Sequence, residues 1–144
     1  MLVLAVAGGI FLVKSQGPDP DKINITVYLT SECDCCHLYS NYLKKEFNVD
    51  LVTLRDIALS STKDELGVPL SMQSCHTSQI GQYFVEGHIP IEAIKRLLAE
   101  QPDIGGIAMP GMPFGSPGMT GEKSGPFIIY QVKKDGSISE YMRI

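Results

Sequence analysis

The run Cys33-Asp34-Cys35-Cys36 constrains this chain more than any other feature, because it holds three of the four cysteines and falls where a strand pattern gives way to a helical one. Upstream, Ile23-Asn24-Ile25-Thr26-Val27-Tyr28-Leu29 is β-branched and alternates apolar with polar residues at its start, the pattern of a half-buried strand. Downstream, Leu38, Tyr39, Tyr42 and Leu43 recur at spacings of three and four, which predicts an amphipathic helix over residues 36–47. Residues 50–54 read as a second strand, so the default topology is a parallel βαβ unit with the thiols at the carboxyl edge of its sheet. A thiol at a helix N-terminus feels the positive end of the macrodipole, which favours thiolate, the form that binds soft metals or attacks disulfides. Cys33 and Cys36 form a CxxC pair that can close as a disulfide or present two thiolates to one ion. A bond between adjacent Cys35 and Cys36 is strained, so two structural disulfides among the four cysteines are not expected.

The remainder of the chain reads as follows. A short helix fits residues 60–66, stopped by Gly67 and Pro69, and residues 80–85 read as one short strand despite Gly81. The strongest helix runs from Pro90 to Glu100, with Ile91, Ile94, Leu97 and Leu98 on one face. Residues 107–125 are too rich in Pro and Gly for regular structure and read as a lid or ligand loop. Residues 127–132 and 137–142 flank Asp135-Gly136 and predict a closing antiparallel hairpin. The resulting fold class is α/β: a thioredoxin-like βαβ unit plus a C-terminal β-hairpin, with helical and Pro/Gly-rich loop insertions, in one domain over residues 21–144. By analogy with that plan, Pro126 should approach the cysteines across the sheet edge, with a cis Gly125–Pro126 bond.

Residues 1–20 are set apart from this domain. Met1 to Val13 are uncharged and almost wholly apolar, and Lys14-Ser15-Gln16-Gly17-Pro18 then turns abruptly polar, which reads as an export or anchor segment and its linker. Thirteen residues at about 1.5 Å each fall short of a full membrane crossing. The expected location is extracytoplasmic, in the periplasm or on the outer face of a membrane, with membrane attachment if the segment is retained. The net charge of −4, with both signs mixed along the chain, offers no basic stripe for phosphates and argues against a nucleic-acid partner.

Further soft or borderline ligands lie outside the cysteine run. Cys75-His76 supplies a second thiol and an imidazole, and His88 precedes the strongest helix. Thiolate and imidazole suit Zn²⁺, Cu⁺ or Cu²⁺. Met109, Met112 and Met119 lie in the Pro/Gly segment, and thioether sulfur suits Cu⁺ far better than Zn²⁺, so methionine tilts the metal towards copper. The plainer readings are that His88 is a helix-start hydrogen-bonding residue, that His37 is solvated on a first turn, and that the methionines anchor an irregular loop.

In order along the chain, Cys33-x-Cys35-Cys36, Leu66-Gly67-Val68-Pro69, Ser74-Cys75-His76-Thr77, Val85-Glu86-Gly87-His88-Ile89-Pro90 and the run from Met109-Pro110-Gly111-Met112-Pro113 to Gly115-Ser116-Pro117-Gly118-Met119 resemble the successive motifs of the CopG-like copper-resistance proteins. The resemblance covers residues 23–142. It implies a thioredoxin-like fold, a role in copper handling outside the cytoplasm alongside other copper-handling envelope proteins, and copper gathered by the cysteine motif with further Cys, His and Met groups. Asp34 stands where that family usually has Gly, and Tyr39 where it usually has Trp. The expected ligands are Cys33, Cys35, Cys36, Cys75, His76, His88, Met109, Met112 and Met119, holding Cu(I) singly or as a small multinuclear cluster, with no substrate turnover required. The rival is a thiol-disulfide oxidoreductase with Cys33 attacking and Cys36 resolving. A structural zinc module is a third reading, weakened because a core of this size should fold without metal.

Overall fold

A computed structural model describes residues 17–144. The expected export or anchor segment therefore lies, from residue 1 to residue 16, outside the described residues. From residue 19 the linker is already pinned: the Asp19 amide donates to Asn48 Oδ1 at 2.9 Å and Asn48 Nδ2 donates back to the Asp19 carbonyl at 2.7 Å.

Alternation decides the first strand. β1 (Asn24–Leu29) buries Ile25, Val27 and Leu29 completely on one face, as period-2 patterning requires. α1 (Asp34–Leu43) follows, burying Cys36, Tyr39, Ser40 and Leu43 at helical spacing, and β2 (Asn48–Thr53) returns parallel to β1. The predicted βαβ unit is thus present. α2 (Asp56–Glu65) starts earlier than expected and buries only Leu59 and Lys63, so little apolar periodicity announces it. A turn of 3₁₀ helix (Leu70–Met72) leads to β3 (Thr77–Ile80) and β4 (Tyr83–Glu86).

Residues 80–85 are therefore not one strand. Gly81 sits at φ +57° and turns the chain, pairing β3 and β4 as an antiparallel hairpin. α3 (Ile91–Glu100) follows, ended by Gln101 in the left-handed region just before Pro102. β5 (Gly106–Ala108) pairs parallel to β4, so the segment expected to be wholly irregular begins with a strand. β6 (Ile128–Val132) and β7 (Ile138–Arg143) form the predicted closing hairpin.

The described residues hold three α-helices and one seven-stranded sheet, ordered β2-β1-β3-β4-β5-β6-β7. Val85 packs into the main core with α1 and α3 residues, while its neighbour Phe84 joins a smaller cluster with Val68 and Val132. The sheet thus has two covered faces, and the helices α1 and α3 meet directly where the Ile91 amide donates to Tyr42 Oη at 2.9 Å. The hairpin beside β1 is β3–β4, whereas β6–β7 forms the far edge. That corrects the expected role of Pro126: no peptide bond among the described residues is cis, and the residues entering β3, Cys75 and His76, are the ones brought to the cysteine run.

Candidate metal centre

Three chain segments converge at the end of β1. Cys33 stands just before α1, and its carbonyl accepts from the Cys36 and His37 amides, so Cys33, Cys35 and Cys36 occupy the first turn. Cys33 and Cys36 are joined as a disulfide, with Cα atoms 5.3 Å apart, while Cys35 and Cys75 are free. Cys35 Sγ lies 3.5 Å from Cys33 Sγ. Cys75 arrives from the β3 side: the sulfurs of Cys33, Cys35, Cys36 and Cys75 all lie within 4.8 Å of one another. Cys75, His76 and His88 form a second group with the same mutual spacing, so one sulfur belongs to both.

Both imidazoles favour the neutral form. His88 Nδ1 lies 2.7 Å from the Pro117 carbonyl, which can only accept, so the proton sits on Nδ1 and the lone pair of Nε2 faces Cys75 Sγ at 3.4 Å. Burial lowers the pKa of His88, and that of His76 lies well below the ordinary 6.5, burial being the main cause and the His88 and Lys63 charges adding to it. His76 Nδ1 lies 3.4 Å from Cys75 Sγ, and its Nε2 is buried with no hydrogen-bond partner among the described residues. Burial first, and the neighbouring Cys35 second, push the Cys75 thiol up to about 11. At neutral pH this thiol is protonated, and a cation arriving beside it would displace the proton.

Tyr39 packs its ring against both imidazoles, with centroids 4.7 Å from His76 and 5.2 Å from His88, and donates its hydroxyl to the Ile89 carbonyl at 2.8 Å. Gly87, at φ +81°, makes the bend between β4 and His88, and a Cβ there would come within 2.6 Å of the Met109 carbonyl. Gly118, at φ +82°, lets the 116–119 turn lie flat on α1, where a Cβ would fall 2.8 Å from the Tyr39 amide and 3.0 Å from the Cys35 carbonyl.

The expected ligands thus divide. Cys33, Cys35, Cys36, Cys75, His76 and His88 come together, and His37 is outside both groups. Met109 is buried in the main core, Met112 is exposed at φ +44°, and Met119 is half-buried beside the Gly118 turn.

A second buried cluster went unread in the sequence. Lys63 Nζ donates to Glu86 Oε1 at 2.5 Å and to Thr77 Oγ1 at 2.7 Å, while Glu86 also accepts from the Ser74 amide at 2.5 Å and from the Thr77 hydroxyl. Lys63 is 4% and Glu86 0% exposed. Burial raises the Glu86 pKa, and the Lys63 ammonium counters part of that rise. The one available signal was position: Glu86 closes an otherwise apolar strand, directly before the bend to His88. These contacts bracket Cys75-His76 on both sides.

A mixed α/β domain carrying a Cys/His metal-ligand cluster at the sheet rim is the class these observations define. A family described as a protein family of unknown function, DUF411, matches residues 72–119. Two solved structures, Form 2 and Form 1 of a protein described as copper resistance protein copG, are each 36% identical to this chain, with a TM-score of 0.77; they cover 86% of it and 99% and 98% of their own lengths. No curated protein matches. The chain belongs to the CopG-like family of copper resistance proteins.

Proposed function

We propose that this protein binds copper as Cu(I) and serves copper handling or resistance in the cell envelope. Cys33, Cys35 and Cys36 bind as thiolates once the Cys33–Cys36 bond is reduced, and Cys75 links them to His76 and His88. One or more of Met109, Met112 and Met119 completes or covers the site. The observation that carries this reading is Cys75: a single sulfur within 4.8 Å of three cysteine sulfurs on one side and of two imidazoles on the other. A sulfur shared between two ligand groups suits a bridged, multinuclear copper cluster, because thiolate sulfur has lone pairs for more than one soft ion. The orphaned His76 Nε2 and the neutral imidazoles fit the same conclusion. Support for the thioredoxin-like plan comes from the β2-β1-β3-β4 portion of the sheet, and for the envelope location from the apolar run at residues 1–13.

The test is anaerobic Cu(I) titration of reduced protein against a competing chelator. Wild type should bind more copper, and more tightly, than Cys33→Ser/Cys36→Ser or Cys75→Ser; equal stoichiometry and affinity for Cys75→Ser would end the shared-sulfur reading. The Cys33–Cys36 disulfide itself favours a second function, dithiol exchange, which predicts catalytic turnover of a model disulfide by metal-free protein.

A further inference from the structure

The sulfur cluster has two unequal sides. On one, the 116–119 turn lies against the Cys35 carbonyl and the Tyr39 amide, closing off α1. On the other, a cleft of about 340 Å³ opens between α1, α2 and the 70s loop, lined by Thr30, Cys33, Asp56, Ser60, Gln73 and Cys75, among others. Cys33 is half-buried and lines this cleft, whereas Cys36 is fully buried. Of the two bonded sulfurs, only Cys33 faces the opening.

From this asymmetry we propose that the cleft is the port through which a thiol reductant reaches the Cys33–Cys36 bond. The inference rests on the copper reading, which requires both sulfurs as thiolates, and adds to it where the two electrons enter and what carries them. The cleft walls favour a thiol flanked by peptide groups over a polyanion. Thr30, Ser60 and Gln73 offer neutral donors and acceptors, Asp56 is anionic, and the Lys63 cation at the cleft is already paired with Glu86.

The chemistry is ordinary thiol-disulfide exchange. The reductant's thiolate attacks Cys33 Sγ; a mixed disulfide forms, the Cys33–Cys36 bond breaks, and Cys36 leaves as thiolate and takes a proton from solvent. A second thiol of the reductant then attacks the reductant's own sulfur in the mixed disulfide and releases Cys33. The protein gains two electrons and two protons, and the reductant leaves as a disulfide. Glutathione, two molecules per cycle, and a CxxC-bearing reductase protein share this chemistry.

The experiment uses oxidised, copper-free protein and follows the appearance of new thiols after adding glutathione or, separately, reduced thioredoxin. Ser60 is exposed on α2, and Ser60→Trp fills the cleft while Ser60→Ala is the control; Asp56→Trp blocks it from another position should the first variant misfold. Blocking should slow reduction by about tenfold or more, because exchange rates depend on access to the attacked sulfur. Slowing with glutathione alone assigns the port to a small thiol, and slowing with thioredoxin alone assigns it to a protein. Blocked variants as fast as the control with both reductants would overturn the proposal, as would a trapped wild-type adduct mapping to Cys36 instead of Cys33. Cu(I) affinity of the pre-reduced Ser60→Trp protein should match wild type. Since the reduction rates are measured without copper, failure of copper binding and failure of the port are read separately.

Discussion

Two buried polar clusters lie within a few residues of each other along β3 and β4, and they differ in how completely they are satisfied. In Lys63, Thr77 and Glu86 each side-chain charge or hydroxyl meets a partner, and the cluster also takes up the Ser74 amide. Among Cys75, His76 and His88 the mutual contacts are sulfur to nitrogen at 3.4 Å, only His88 Nδ1 has a close oxygen partner, and His76 Nε2 meets nothing among the described residues. Burying polar groups is costly unless they are paired, so the first arrangement is complete as it stands, while the second leaves a nitrogen that the copper proposed above would satisfy. A satisfied structural network and a group compatible with metal binding thus stand side by side, and they differ in hydrogen-bond satisfaction.

The comparison breaks most sharply at Lys63. Lys63→Met leaves the Glu86 charge buried alone and should cost about 3–5 kcal/mol in urea unfolding of metal-free protein, whereas Lys63→Met/Glu86→Leu should recover most of that loss. A Lys63→Met cost below about 1 kcal/mol would show that the pair is not structural. His76→Leu should behave oppositely, shifting metal-free stability by only about 1 kcal/mol because it removes an unsatisfied group. The same variant should weaken Cu(I) binding by about tenfold or more in chelator competition.

The pH dependence sharpens the contrast. The folded pKa of His76 lies well below the ordinary 6.5, so below that pH the unfolded chain binds protons that the native state refuses. Stability of the metal-free protein should fall between about pH 7 and 5, and His76→Leu should flatten that slope. Glu86 has the reverse sign: its folded pKa is raised above 4.5, so its contribution is fully present below 4.5 and is lost as pH rises from there through the folded value. A smaller effect is proton release. With the Cys75 thiol at about 11, Cu(I) binding at pH 8 should release about one proton fewer in Cys75→Ser, measured by calorimetry in buffers of different ionisation enthalpy. Smallest of all, Met112→Leu at an exposed position should change stability by less than about 0.5 kcal/mol, with any loss of Cu(I) affinity below that of His76→Leu.

What the sequence disclosed follows from the strength of its periodic signals. The β1-α1-β2 unit and α3 were legible because their apolar residues recur at periods of two and of three to four, and the closing hairpin because Asp135-Gly136 marks its turn. β5 was hidden by the Pro/Gly-rich residues that follow it, since composition masks a three-residue strand. The β3–β4 hairpin is hard to read because a single Gly81 within an apolar run marks a weak strand as readily as the turn between two short ones. The start of α2 had no apolar stripe to reveal it, with Ile57 turned outward. At the site, the six candidate groups that the fold brings together were legible as candidates, because clustered thiols and imidazoles are chemically uncommon and because the successive motifs resemble one family. Lys63 and Glu86 were not, because charged residues ordinarily mark solvated surface, and only the tertiary fold pairs them inside. Whether Cys33 and Cys36 stand as dithiol or disulfide was left open by spacing that permits both.

Cys75 and His76 are neighbours on one stretch of backbone, tethered at either end through Ser74 and Thr77 to the same carboxylate. Neither can be withdrawn without displacing the other. On the copper reading, any distortion that loosens this short span would withdraw a soft donor and a borderline one together, so release of a bound ion would be abrupt and governed by the grip of Glu86 on Ser74 and Thr77.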